Sequence, residues 1–133
     1  MKRKILIIDD EKNFTQVVKL YLEESGNYEV AVENEPIRGL DAILEHQPEV
    51  VLLDVIMPHM EGPDILNLIR SNRRVKNTPV VFLTATVRKE EVEEHDGLIG
   101  GHTFVAKPSS AEELVHGIEQ AILNFKAPKL SPV

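Results

Sequence analysis

Three runs of consecutive apolar residues constrain this chain more than any other feature: Ile5-Leu6-Ile7-Ile8, Val50-Val51-Leu52-Leu53 and Val80-Val81-Phe82-Leu83. Each has the length of a short strand, and none alternates with polar residues. Successive side chains of a strand point to opposite faces, so a run that is apolar at every position needs cover on both sides. Weaker runs occupy Tyr28 to Val32 and Thr103 to Ala106. The segments between them supply the cover. Phe14, Val17, Val18, Tyr21 and Leu22 fall on one helical stripe that ends near Gly26. Ile37, Leu40, Ile43 and Leu44 mark a second helix, with Pro36 in its first turn and Pro48 beyond its end. Ile65, Leu66, Leu68 and Ile69 mark a third, after Gly62-Pro63. Leu114, Val115, Ile118, Ala121, Ile122 and Phe125 mark the last, with Ser109 or Ser110 as its N-cap. Strand and helix alternate throughout, the signature of a single doubly wound α/β domain.

One intervening segment differs. Arg88 to Gly97 is mostly charged and offers only Val92 for burial before Leu98-Ile99. It reads as a short, weakly anchored helix, either an element that moves or simply a solvated helix face. After Phe125 the chain turns into a Pro-containing tail, residues 126–133, which is either a frayed terminus or the start of a linker.

Composition narrows the chemistry. The chain lacks cysteine, which removes disulfides, thiolate metal sites and cysteine nucleophiles. Its 133 residues carry a formal charge of −7, a balance that disfavours direct binding to nucleic acid. The basic start Met1-Lys2-Arg3-Lys4 imitates a secretory signal, but the apolar run after it stops at Asp9-Asp10-Glu11. No stretch approaches the ~20 apolar residues of a spanning helix, so the expected location is the cytoplasm, away from membranes. The five histidines are scattered without metal-ligand spacing, and His59 alone lies on the loop after Asp54. No Gly-rich phosphate loop and no Gly-x-Ser-x-Gly elbow is present.

The informative polar residues stand at strand ends. Asp9 and Asp10 follow the first run, Asp54 the third strand, Thr84 the fourth and Lys107 the fifth. In an open parallel sheet these positions share the carboxyl edge, where such folds bind ligands. Three carboxylates gathered there repel one another and call for a counter-charge, and a hard divalent cation such as Mg²⁺ suits an all-oxygen donor set. A carboxylate can also attack phosphorus to give an acyl phosphate. The metal, the Lys107 ammonium and the Thr84 hydroxyl would then neutralise the equatorial oxygens.

These residues resemble the receiver domain of two-component response regulators. The likeness covers about residues 4 to 125 and rests on Ile7-Ile8-Asp9-Asp10-Glu11, on Asp54-Val55-Ile56-Met57-Pro58-His59-Met60-Glu61-Gly62, on Leu83-Thr84-Ala85 and on Lys107-Pro108. The resemblance implies a receiver domain over residues 1–125, of flavodoxin-like fold. Its five-stranded parallel sheet would run in the order 2-1-3-4-5 between five helices. It makes Asp54 the phosphoacceptor, and Asp9, Asp10, Asp54 and the Ile56 backbone carbonyl the Mg²⁺ ligands. Thr84 becomes the switch hydroxyl, Lys107 the phosphoryl clamp and Phe104 the switch aromatic, although a static aromatic fits Phe104 as well. Pro108 makes the Lys107-Pro108 bond a candidate cis peptide. The chain departs from the family at Gly100-Gly101-His102-Thr103-Phe104, where many members read Gly-Ala-Asp-Asp-Tyr. Its last helix also lacks the arginines that pair with those acids in DNA-binding subfamilies.

The implied activity is acceptance of a phosphoryl group from a sensor histidine kinase or phosphotransfer protein. The output would be a switched contact with a downstream protein target or a fused effector domain, with no turnover of substrate. Two alternatives are an unphosphorylated pseudo-receiver that only binds partners, and a hydrolase working through an aspartyl phosphate. The hydrolase would need a second acid two residues after its nucleophile and a substrate-covering cap. Asp9-Asp10-Glu11 does not supply that spacing, and the length leaves no room for a cap.

Overall fold

A computed structural model describes residues 2–57, 60–85, 98–99, 102–107 and 110–126. The three apolar runs form β1 (Arg3–Ile8), β3 (Val50–Asp54) and β4 (Val80–Thr84), and the weaker ones form β2 (Tyr28–Glu33) and β6 (His102–Ala106). These five strands are parallel in the order β2-β1-β3-β4-β6, which is the expected 2-1-3-4-5 arrangement. A two-residue strand, β5 (Leu98–Ile99), pairs antiparallel with β6 and extends the sheet edge to six strands. Sequence pattern did not separate β5, because two residues are too few to show a period. Four α-helices are seen among the described residues: α1 (Lys12–Glu24), α2 (Gly39–His46), α3 (Gly62–Ser71) and α4 (Ala111–Lys126). The expected charged helix at 88–97 lies outside them, as do Pro108, His59 and the tail from 127 onward.

The unbroken apolar runs have the predicted consequence. Ile5, Ile7, Leu52, Val81 and Leu83 enter one core with Val18 and Leu22 of α1 and Leu114, Ile118 and Ile122 of α4. The alternate residues Leu6, Ile8, Val51, Leu53 and Phe82 enter a second core with Ile43 of α2 and Ile65 and Ile69 of α3. Helices on both faces thus bury every position of the central strands. Gly117 lets α4 sit close on β6: a Cβ there would come within 2.5 Å of Val105 Cγ2.

Some stripe residues do not reach the core. Val17, Tyr21, Ile37 and Leu68 are exposed. A helix lying on a sheet hides only a sector of its circumference, and each residue turns about 100°. In α1 that sector is centred on Val18 and Leu22, which leaves Val17 and Tyr21 on its flank. Ile37 lies in a 3-10 turn, Pro36–Arg38, that precedes α2 rather than in the helix itself. α3 opens on a reciprocal cap, in which the Asp64 carboxylate accepts the Glu61 backbone N–H at 3.0 Å.

The path from β1 passes to β2 on one side and then crosses to β3 on the other. β1 and β3 therefore flank the point where strand order reverses, and a crevice opens there at the carboxyl edge.

Candidate functional site

Register fixes what meets in that crevice. Ile8 pairs with Leu53, Asp54 with Leu83, and Thr84 with Ala106, so the four strands end nearly level. Asp9 follows β1, Asp54 closes β3, Thr84 closes β4 and Lys107 follows β6. Backbone bonds extend the ladder past the strands: Val55 N–H donates to Leu83 O at 3.1 Å, and Lys107 N–H to Thr84 O at 2.8 Å. The Lys107 side chain is thereby aimed across the edge toward β1.

Asp9 is completely buried. Its Oδ1 accepts the Glu11 backbone N–H and its Oδ2 accepts Lys107 Nζ, both at 2.9 Å. Its carbonyl accepts Asn34 Nδ2 at 2.8 Å, and that nitrogen also donates to Thr15 Oγ1 at 3.1 Å. Burial pushes the Asp9 carboxyl above the ordinary carboxylate value, against the opposing pull of its Lys107 and Glu11 hydrogen bonds.

Lys107 Nζ sits among three acids: 2.9 Å from Asp9 Oδ2, 3.1 Å from Glu11 Oε1 and 3.7 Å from Asp54 Oδ1. It also lies 4.4 Å from the centre of the Phe14 ring. Burial alone would lower the lysine's pKa, but its bonds to Asp9 and Glu11 and the Asp54 charge outweigh that and raise it. Lys107 is a permanent cation here.

Asp54 is 5% exposed. Burial first, then the Asp9 charge and the more distant Asp10, push its carboxyl up to about 6. Lys107 and a hydrogen bond from the Ile56 backbone N–H pull the other way and do not compensate. Four carboxylates (Asp9, Asp10, Glu11, Asp54) thus face one ammonium among the described residues. Asp9, Glu11 and Asp54 each offer an oxygen within 4.8 Å of the others, a grouping that can hold a metal ion. Excess negative charge and an all-oxygen donor set fit a hard divalent cation.

The sequence-named residues Asp9, Asp54, Thr84 and Lys107 share this edge. Asp10 is half-exposed beside it, and its charge reaches Asp54. Thr84 is buried at the end of β4. Ile56 is 57% exposed on the loop after β3. Phe104 is half-buried and rests on Phe82, with ring centres 5.2 Å apart. Two contributors escaped the sequence reading. Glu11 was legible only as the third acid of Asp9-Asp10-Glu11. Asn34 offered just its place after β2, where a half-buried amide can tie down the neighbouring strand end.

The geometry defines a parallel α/β domain with an acid nest and a lysine at the carboxyl edge of its sheet. Residues 5–119 match the response regulator receiver domain family, and the chain belongs to it. It is 38% identical over 122 residues to the uncharacterized transcriptional regulatory protein YkoG of Bacillus subtilis, an alignment covering 91% of this chain and 51% of that protein. The chain therefore spans about half the length of this curated relative. Among solved structures it resembles the chemotaxis protein CheY4 of Vibrio cholerae, with a TM-score of 0.76 and 26% identity over 91% of this chain and 99% of that one. It also resembles the receiver domain of the Francisella response regulator 1452, with a TM-score of 0.71 and 29% identity over 94% and 98%.

Proposed function

We propose that this receiver domain accepts a phosphoryl group on Asp54 from the phosphohistidine of a sensor histidine kinase or phosphotransfer protein. An Asp54 carboxylate oxygen attacks phosphorus, the P–N bond to the imidazole breaks, and the imidazole leaves with the electron pair. The observation that carries this reading is the nearly buried, under-neutralised Asp54 carboxylate facing the Lys107 ammonium at the strand-order reversal. Mg²⁺, held by Asp9, Asp10, Asp54 and the Ile56 carbonyl, would supply charge neutralisation at the attacked phosphoryl oxygens. The chain's own part is to hold the acceptor at the end of a rigid strand, to present Lys107 to a second oxygen and to offer the Thr84 hydroxyl to a third.

A dianion on Asp54 would draw Thr84 toward it. Movement at Thr84 bears on Phe104, which is paired across from Phe82 one layer below, and so biases the outer face of β6 and α4. The output is a changed contact with a downstream protein or a fused effector domain. The domain modifies itself and turns over no substrate. No helix among the described residues is long and apolar enough to cross a membrane, and we place the protein in the cytoplasm, where its donor's phosphohistidine would lie.

Incubation with acetyl phosphate and Mg²⁺, followed by intact-mass measurement, should add one phosphoryl group to the wild type and none to Asp54→Asn. Unmodified wild type under saturating donor rejects the reading in favour of an interaction module. The acyl phosphate should also be long-lived. Ile56, two residues after Asp54 and 57% exposed, has an apolar side chain with no group to orient an attacking water. A half-life of many minutes is expected at neutral pH, whereas Ile56→Asn should shorten it about tenfold. Decay of the wild type within seconds would contradict this role for Ile56.

A further inference from the structure

Lys107 makes its hydrogen bonds to acids other than Asp54. Its two hydrogen bonds go to Asp9 and Glu11, and its contact with Asp54 is the longest of the three at 3.7 Å. We propose that Glu11 is a positioning residue that tethers Lys107 on the β1 side of the nest and withholds it from Asp54 until the acceptor gains charge. The inference rests on the reading of Asp54 as phosphoacceptor.

Glu11 suits a releasable tether. It stands in extended conformation just before α1, and Asp9 Oδ1 grips its backbone N–H, so the residue is fixed relative to Asp9. Its side chain is 63% exposed, whereas those of Asp9 and Lys107 are buried at 0% and 9%. The Glu11 bond is therefore the member of the triad that water can replace most readily. The Asp9 bond, buried and charge-assisted, stays. Releasing Glu11 lets the ammonium pivot about Asp9 toward Asp54 without leaving its counter-ion.

The tether also divides the carboxylates. Nζ lies within 3.7 Å of an oxygen from Asp9, Glu11 and Asp54 alike. A divalent cation cannot share that centre with an ammonium, so the two compete for the same acids. The tether keeps the ammonium nearer to Asp9 and Glu11 than to Asp54. Once metal saturates, loss of the tether should speed phosphoryl acceptance, because the lysine no longer has a bond to break.

The test compares wild type with Glu11→Gln, whose exposed site places no demand on folding. Mg²⁺ affinity is measured by calorimetry, and phosphorylation rate with acetyl phosphate is followed as Mg²⁺ is raised. The variant should bind Mg²⁺ about three- to tenfold more weakly with or without Lys107, the effect of losing one nearby carboxylate, so the tether is read from the rate at saturating Mg²⁺. Its rate at saturating Mg²⁺ should rise about two- to fivefold, the value of one exposed ion pair. In a Lys107→Met background the change at saturating Mg²⁺ should vanish, because Glu11 acts through the lysine. If wild type is phosphorylated but Glu11→Gln matches it, or is slower at saturation, the tether is wrong and the acceptor reading stands. If wild type takes no phosphoryl group at all, both fall.

Discussion

Without metal, the protein should become less stable as pH rises from about 4 to about 7, and Asp54→Asn should remove most of that loss. The folded Asp54 carboxyl is raised from 3.8 to about 6. Between those values the native state holds a proton that the unfolded chain has released. Stability falls with pH wherever the native state binds more protons, so the decline begins near the unfolded value and levels off above the folded one. At about 1.4 kcal/mol per pH unit the interval allows a loss of at most about 3 kcal/mol. Asp9 is raised as well and adds to the same slope, and the two carboxyls titrate as a coupled pair. Lys107 does not contribute in this window: its raised pKa gives stability that is present below its ordinary value and is lost only in strong base.

Replacing Asp54 with Asn keeps shape and removes the buried charge. Urea unfolding in the presence of a chelator should show the variant about 2 kcal/mol more stable than wild type at pH 7.5 and nearly equal to it at pH 4. Saturating Mg²⁺ should then raise wild type toward the variant, since a ligand that binds only the folded state stabilises it. A variant less stable than wild type at pH 7.5 would mean that Asp54 is well compensated, and would remove the physical argument for a cation beside it. On the proposed reading, a buried carboxylate that strains its own fold is the cost of keeping it ready for phosphorus.

How much of this could be read from the chain depends on the range over which each signal acts. The strands announced themselves because burial on both faces leaves a purely local mark, four apolar residues in a row. Asp54 and Lys107 were legible for a related reason: the strand end is itself local, and a parallel sheet puts all such ends on one edge. Glu11 was not. Its neighbours make it look like a helix-capping acid, and its partner Lys107 is 96 positions away. Only the register of β1, β3, β4 and β6 brings the two together. The helix stripes were half right for a geometric cause, since periodicity tells which residues share a side but not how wide a sector the sheet covers. Val18 and Leu22 are buried while Val17 and Tyr21 are not.

Gly62 shows the same limit and yields the second large effect. In the sequence Gly62 marks only the point, before Pro63, where the third helix begins. Its structural role is close approach. A Cβ at Gly62 would lie 2.5 Å from Asp54 O, 3.1 Å from Val55 Cα and 3.3 Å from Asp54 C. All three are backbone atoms, so no rotamer change can relieve the clash. Gly62 N–H also donates to Val55 O at 2.8 Å, which binds the start of α3 to the residue after Asp54. Gly62→Ala must therefore push α3 away from the end of β3, or push Asp54 itself. The expected cost is about 2–4 kcal/mol in urea unfolding, typical of a small-to-large change with no room to yield. On the proposed reading, phosphorylation by acetyl phosphate should slow about 10- to 100-fold in the molecules that remain folded, because Asp54 is moved by tenths of an ångström. Gly26→Ala is the matched control: its φ of +80° strains any side chain, yet nothing lies within 4 Å of the added carbon. It should cost about 1 kcal/mol and leave the phosphorylation rate alone. Equal behaviour of the two variants would show that the packing of α3 against β3 does not set the position of Asp54.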